Sequence, residues 1–437
     1  MTKQLDYKVC LRSPSELKAR SDNPRIHSRK QLQTIMASMR RFGVTHPILI
    51  DDKDQIVAGH GRVQAALELG LETIPTISLQ HLTRAELKAF MIADNRTAEL
   101  ATWDRELLAE SFGEIQLLDP ELDLTVTGFV DEEIDLLGDY LSTKKPQAEP
   151  EIPKLAEQAC SRVGDLWLID DRHRVLCADA TLASSYSALL DDDRVDMIIT
   201  DPPYNVPVQG HVSGLGKHQH REFVAATGEM TREEFGRFLS AFMLAVERVS
   251  RSGSLHYIFC DWRMIGDLLA IGEGIYSQLV NLAVWAKSNA GMGSFMRSQH
   301  ELVAIFRRGR HAHINNVNLG VDGRHRSNVW SFPGGNSFGR DRDEMLAMHP
   351  TVKPVLMIAE AIKDASHREG LILDPFGGSG TTLIACRDTG RRARLMELDP
   401  LYVDLILTRA AREGMQIRLA ASGQSLEETR EERSCPA

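Results

Sequence analysis

The chain has six cysteines in 437 residues, at positions 10, 160, 177, 260, 386 and 435, and no two of them stand in CxxC spacing. Neither a zinc site nor a disulfide framework is indicated, so no metal is expected and the thiols are expected to be reduced. No apolar run approaches the ~20 residues that a membrane span needs, and the opening MTKQLDYKVCLRS lacks the apolar core of a signal peptide. A cytoplasmic protein with no membrane association is the expectation. Positive charge is not in excess either, since 51 Lys and Arg stand against 61 Asp and Glu, a net charge of -10. That balance excludes a generally adhesive nucleic-acid binder, and any DNA contact has to come from a local basic patch. No internal repeat occurs at a fixed period. What is present is ordinary for a globular chain: 43% hydrophobic and 26% charged residues, in a length roughly three times the common domain size.

Composition divides the chain. STKKPQAEPEIPKLAEQ, residues 142–158, mixes Pro, Lys, Glu and Ala without apolar periodicity. This predicts an N-terminal domain over 1–141, a linker over 142–160 and a larger domain over 161–420. The end, GQSLEETREERSCPA, is dense in charge and poor in apolar residues, so 421–437 is expected to be a disordered tail.

In the larger domain VDMIIT, residues 195–200, is a continuous apolar run bounded by turn residues, the pattern of a parallel strand buried on both faces. Ligands of open α/β sheets sit just beyond the carboxyl ends of such strands. Asp201-Pro202-Pro203-Tyr204 stands at that place. The prolines fix φ and remove two N–H donors, which leaves carbonyl and carboxylate acceptors beside an aromatic ring. The guest that suits such a pocket is planar and carries an NH2 group. Farther on, LILDPFGGSGTTLIACRDTG at 371–390 reads as strand, Gly-rich turn and helix, with Thr381 and Thr382 opening the helix and Gly390 closing it. RRARLMELD follows as a strand, and Glu397 stands 19 positions after Gly378. That is close to the ~20 expected between a Gly-rich turn and an acidic residue that binds ribose hydroxyls. No Lys follows the last glycine, so this is not a GxxxxGK[ST] phosphate loop, and GGSGTT does not fit GxGxxG.

These segments resemble the amino-methyltransferases of DNA. DPPY after an apolar strand is similar to their catalytic motif, and Phe376, Gly378 and Gly380, with Asp374 ahead and Thr381 behind, resemble the FxGxG signature for S-adenosylmethionine. The likeness covers residues 163 to about 413. Because DPPY precedes the cofactor loop, the order resembles the β-type arrangement of the family. HPTVKP at His349–Pro354 resembles the element ahead of the cofactor loop, where Lys353 would border the cofactor. GDLWLIDDRHRVLCADAT at 164–181 reads as a hairpin whose Asp179 matches a position near the cofactor adenine, and WAKSNAGMGSFMRSQHELVAIFRRG at 285–309 resembles the element flanking the target base, including His300-Glu301. Two departures occur: Ala178 and Leu395 stand where family members commonly have Gly.

The resemblance implies a Rossmann-like α/β sheet with helices on both faces, S-adenosylmethionine as cofactor, double-stranded DNA as partner, and Asp201, Pro202, Pro203 and Tyr204 as catalytic residues. The amine would hydrogen-bond to Asp201 and the Pro202 carbonyl while Tyr204 stacks on a flipped base; flipping costs roughly a few kcal/mol. Cofactor contacts would come from Asp179, Lys353, Asp374, Phe376, Gly378, Gly380, Thr381 and Glu397. DNA contacts are expected in 307–348, where Arg307, Arg308, Arg310, Arg324 and Arg326 lie among His, Asn and Trp residues.

In the N-terminal domain, QLQTIMASMRRFG places Leu32, Ile35, Met36 and Met39 on a helical stripe ended by Gly43. HPILID, QIVAGH and TIPTI read as strands, and GHGRVQAALELG as a turn opening a helix. From 23 to 77 this resembles a small α+β ParB/sulfiredoxin-type domain. Its basic phosphate-binding turn would be Gly59, His60, Gly61 and Arg62, with Asn95 and Arg96 in a second element. The family includes nucleotide-binding, DNA-loading and nuclease-like members, so a nucleotide triphosphate is one candidate ligand. The reading is a DNA methyltransferase directed to adenine N6, with cytosine N4 as the alternative. A second class is a nucleotide-regulated DNA-binding protein with an auxiliary methylase half, against which the intact FxGxG and DPPY speak. Glutamine methylation is disfavoured because Asp201, not Asn, begins the motif. A homodimer is left open.

Overall fold

The computed structural model describes residues 7–119, 122–144, 152–153, 155–205, 229–288, 290, 295–317, 326–333 and 352–433. Arg324, His349, Thr351 and most of the segment 307–348 lie outside the described residues. Internal contacts divide the chain into two units, Met1–Pro146 and Gln147–Ala437. No helix among the described residues is long and apolar enough to cross a membrane.

The first unit contains strands β1 (Val9–Arg12), β2 (Ile48–Ile50), β3 (Ile56–Ala58) and β4 (Ile74–Ser78), in the order β1-β4-β2-β3. Its helices are α1 (Arg29–Phe42), α2 (His60–Glu68), α3 (Arg84–Glu99), α4 (Arg105–Leu118) and α5 (Asp131–Lys144). The stripe predicted from 32 to 39 lies on α1, which Ser28 caps through Gln31 N–H and Gly43 ends at φ 76°. Ile48, Ile50, Ile56, Val63 and Ile74 form the core between the sheet and α2.

The second unit is a ten-stranded sheet. Its strands are β5 (Leu166–Ile169), β6 (His173–Cys177), β7 (Val195–Thr200), β8 (Ser250–Cys260), β9 (Gln278–Ala286), β10 (His300–Arg307), β11 (Val329–Ser331), β12 (Leu371–Asp374), β13 (Arg392–Glu397) and β14 (Ile417–Leu419). They run in the order β11-β9-β10-β8-β7-β12-β13-β6-β5-β14. The five central strands, β8-β7-β12-β13-β6, are parallel. Around them pack α6 (Ala183–Leu190), α7 (Arg232–Val249), α8 (Ile265–Ile275), α9 (Val355–Ala365), α10 (Thr381–Thr389) and α11 (Pro400–Arg412). Met197 and Ile199 of β7 pack into a core with residues of α9 and α10, whereas Ile198 joins α6 and α7. Burial on both faces is why this strand is apolar without alternation. Chain order breaks between β7 and β12: from β7 the chain proceeds to β8 on one side, while β12 and β13 fill the other. That is a topological switch point, where a crevice opens outside the carboxyl ends of the strands.

Two boundaries differ from those expected. Residues 142–144 close helix α5, and Ile152 and Cys160 are buried, the former against Tyr402 and Leu405. Asp404 of α11 accepts from the Cys160 and Ser161 N–H groups, so the second half of the expected linker is tied to the sheet domain. The expected tail is also structured as far as residue 433. Ser425 and Glu428 form a capping box at the start of α12 (Leu426–Glu432), Leu426 is buried, and Arg433 pairs with Asp165. One inward Leu at the helix start and a terminal Arg with a carboxylate partner outweigh the surrounding charge, which simply faces water.

Candidate active site

A cavity of about 370 Å³ opens at the carboxyl ends of β7 and β12. Asp179, Asp201, Pro202, Pro203, Tyr204, Lys353, Asp374, Phe376, Gly378, Thr381 and Glu397 all line it; of the residues expected there, Gly380 alone does not. Gly380 instead takes φ 79° as the N-cap of α10, and a Cβ on it would come within 3.2 Å of Ile406, so it sets the approach of the loop to α11.

On one side of the cavity the acidic residues hold the Gly-rich loop. Glu397 accepts from the Gly378 N–H at 2.9 Å and the Asp399 N–H at 3.0 Å. Burial raises its carboxyl to about 7 against those hydrogen bonds. Asp374 is 5% exposed and accepts from Thr200 Oγ1 at 2.8 Å, Thr382 Oγ1 at 2.6 Å and the Phe376 N–H at 3.2 Å. It therefore pins β7, β12 and α10 together, and burial raises it to about 7 as well. Asp179 accepts from Thr181 N–H and Oγ1, both at 2.8 Å, which fixes the turn after β6.

On the other side are acceptors with cations beside them. Tyr204 Oη donates to Asp201 Oδ1, and Lys353 Nζ donates to Asp201 Oδ2. Lys353 also lies 3.0 Å from Glu301 Oε2, and Lys287 lies 2.5 Å from Glu301 Oε1. Burial raises the Asp201 carboxyl, against the attraction of Lys353 and with the repulsion of Glu301. Burial likewise disfavours the Glu301 charge, but the two ammonium groups outweigh it and hold Glu301 below the usual carboxylate range. The sequence reading put Lys353 beside the cofactor. The Lys353 carbonyl accepts from Thr381 Oγ1 of the Gly-rich loop at 3.3 Å, and its ammonium lies on the Asp201 carboxylate. Lys287 was missed: it follows β9, and only the antiparallel pairing of β9 with β10 brings it to Glu301.

The first unit has a separate cavity of about 180 Å³ at the start of α2, lined by Asn23, Arg25, His27, Gly59, His60, Arg62 and Asn95 among others. Gly59 caps the helix at φ 100°, and a Cβ there would meet Ile48 Cδ1 at 2.7 Å. His60 Nε2 is buried without a hydrogen-bond partner. Arg62 donates to the His46 carbonyl at 3.1 Å, and Asn95 Nδ2 to the Met91 carbonyl at 2.8 Å. Arg96 does not line this cavity; it pairs with Glu99 on the same helix.

Family comparison matches residues 195–408 to a DNA methylase model for N6 and N4 modification, and residues 8–95 to the ParB N-terminal domain. The chain belongs to the N6/N4 DNA methylase family and carries a ParB N-terminal domain. It is 26% identical over 236 residues to "Putative methylase YubD" of Escherichia coli (strain K12), covering 54% of this chain and 86% of that protein. The N-terminal region is 43% identical over 76 residues to the ParB-like nuclease domain-containing protein YnaK of the same strain, covering 17% of this chain and 87% of YnaK. Among solved structures, that of M1.HpyAVI with SAM is similar at 18% identity and a TM-score of 0.40, covering 54% of this chain and 97% of that one.

Of the arginines expected to meet DNA, the described ones, Arg307, Arg308, Arg310 and Arg326, do not line the methylase cavity. In the register of β10 on β8, Leu302 stands opposite Cys260 and Arg307 opposite Leu255, so Arg307 lies toward the amino-terminal edge of the parallel strands. It stands six positions along the strand from Glu301, roughly 20 Å away. Arg308 pairs with Glu247 at 2.9 Å, and Arg310 is exposed just beyond. Arg326 is bound to Asp364 at 2.9 Å, with Glu360 at 3.7 Å, over the Trp330 ring. Two physical causes set these placements: a strand carries its two ends to opposite edges of the sheet, and an arginine near a carboxylate pairs with it.

Proposed function

We propose that this methylase transfers a methyl group to N6 of adenine in duplex DNA, with Asp201, Pro202 and Tyr204 forming the amine pocket. The observation that carries the reading is that the DPPY acceptors and the Phe376–Thr381 loop line one cavity. S-adenosylmethionine fits the other half of that cavity, with Glu397 for the ribose, Asp179 near the adenine, and Phe376 and Thr381 along the loop; it supplies an electrophilic methyl group. An exocyclic amine is a poor nucleophile because its lone pair is delocalised into the ring. Hydrogen bonds from its two N–H groups to the Asp201 carboxylate and the Pro202 carbonyl return electron density to nitrogen and fix its orientation. As the N–C bond formed and the methyl–sulfur bond broke, its electron pair staying on sulfur, the nitrogen would become acidic and its surplus proton would pass to Asp201 or to water. Tyr204, anchored by its hydroxyl on Asp201, provides the ring on which the flipped base rests. The amine pocket is completed within one chain, so the chemistry does not call for a homodimer.

The lean toward adenine rests on DPPY together with HPTVKP, of which Lys353 stands at the pocket. Mass spectrometry of nucleosides from DNA of expressing cells tests it: N6-methyladenine is expected, N4-methylcytosine would shift the base assignment, and neither would overturn it. For the ParB domain we read the cavity at α2 as a nucleotide triphosphate site, supported by the helix N-terminus, Gly59 and the buried unpartnered His60 nitrogen. Calorimetry with nucleoside triphosphates on the full chain tests that assignment.

A further inference from the structure

Each oxygen of the Asp201 carboxylate accepts from a side chain of this chain, one from the Tyr204 hydroxyl and one from the Lys353 ammonium. A target amine donating to this carboxylate competes with both of these donors for its lone pairs. Tyr204 Oη also lies 3.3 Å from Glu301 Oε2, but the closer, charge-paired alternative belongs to Lys353. Its Nζ is 3.0 Å from Glu301 Oε2, a carboxylate 11% exposed that already holds Lys287 on its other oxygen. Phe259 and Trp285 present their rings to the same ammonium at 5.1 Å and 5.7 Å, and Lys287 lies over Trp285 at 4.7 Å. Trp285 is itself fixed by its indole N–H on the Phe332 carbonyl at 3.0 Å. The four charges sum to zero, and they still do after Lys353 moves wholly onto Glu301.

We propose that Lys353 is a placeholder for the target amine, holding Asp201 in the DNA-free enzyme and passing to Glu301 when the base enters. An ammonium presents N–H donors to a carboxylate as an exocyclic amine does, so it keeps the acceptor desolvated and aimed until the base arrives. No bond breaks and no proton changes owner; one hydrogen bond is exchanged for another within reach of the same side chain. Glu301 is then a positioning residue, acting on the reaction through Lys353. A Glu301 that merely braced the fold would have an effect independent of Lys353, and this separates the two roles. The inference rests on the amine-pocket reading proposed above.

The test is a double-mutant cycle on the full chain, with tritiated S-adenosylmethionine and sheared unmethylated genomic DNA. E301Q is expected to lower kcat about 100-fold while cofactor affinity stays within twofold, because Asp201 is then the one carboxylate left beside the ammonium. K353M is expected to retain measurable transfer, and K353M/E301Q to be no slower than K353M, since without the ammonium the receiving carboxylate is idle. Multiplicative effects of the two substitutions, wild-type turnover in E301Q, or no transfer at all in K353M would each overturn the handover. Should E301Q lose cofactor affinity, E301D replaces it in the cycle: it keeps the charge but withdraws it from Lys353, and the same masking by K353M is expected. If the wild-type chain moves no methyl group to DNA, it is the amine-pocket reading that fails; additive effects in an active enzyme count against the handover alone.

Discussion

At the carboxyl ends of β7 and β12 the charged groups close on one another, with Lys353 between Asp201 and Glu301 and Lys287 on Glu301. At the start of α2 the lining is different: His60 Nε2 is buried without a partner, at the N-terminus of a helix. A cavity that satisfies its own charges accepts a guest by exchanging hydrogen bonds, so it discriminates by shape and donor pattern. A cavity that leaves a helix terminus open favours added negative charge. The first suits a neutral base, the second a phosphate.

The comparison breaks most visibly at Asp201. Asp201→Ala should reduce methyl transfer by about a thousandfold or more, in the range of losing a preorganised electrostatic partner, while cofactor affinity stays within about tenfold. Transfer retained in that variant would remove Asp201 from the chemistry. Next in size is Glu397→Gln, expected to weaken cofactor binding by about 30-fold, the scale of a charge-assisted hydrogen bond. Its pH dependence carries a sign. Because Glu397 ionises only near about 7, cofactor affinity should strengthen as pH rises through that value. The cofactor-free protein should behave oppositely. A carboxyl whose folded value is raised gives stability that is full below its ordinary value and lost as pH rises through the folded one. Thermal unfolding without cofactor should therefore show stability falling from about pH 4.5 to about 7, with a shallower fall in E397Q.

The ParB cavity should respond to charge in the other direction. Arg62→Ala is expected to weaken nucleotide triphosphate binding by about tenfold and leave methyl transfer unchanged; calorimetry beside a transfer assay reads both. Burial lowers the His60 pKa, helped by His27 and Arg20. A bound triphosphate opposes that shift, so binding should take up protons and tighten toward lower pH. Equal heat at pH 6 and pH 8 in a buffer of low ionisation enthalpy would detach His60 from the ligand.

The central strands and Gly-rich turn were legible in the sequence because both depend on local rules. A doubly buried strand reads as an unbroken apolar run, and β7 occupies the six positions of VDMIIT. Glu397 was legible through its spacing from Gly378, which the hydrogen bond between them now explains. Lys287 was not, because its partner Glu301 reaches it across a β9–β10 ladder that no local pattern encodes. Helix α12 was hidden by its composition, since one buried Leu among Glu and Arg gives no periodic stripe. The ion pairs of Arg308 and Arg326 were not legible for a related reason. A list of basic residues does not say which have a carboxylate within reach.

Arg326 gives the smallest effect and tests that last point directly. If it served DNA, Arg326→Ala would flatten the salt dependence of DNA binding by about one phosphate contact. Its guanidinium instead sits on Asp364 with 18% of the side chain exposed, while the Asp364 side chain is 8% exposed. Losing a partner there should destabilise the methylase domain by roughly 1–3 kcal/mol. DNA affinity measured across salt should keep the wild-type slope, and thermal unfolding should shift by a few degrees. A changed slope in a variant of unchanged stability would return Arg326 to the DNA interface and show the Asp364 pair to be one that DNA can break.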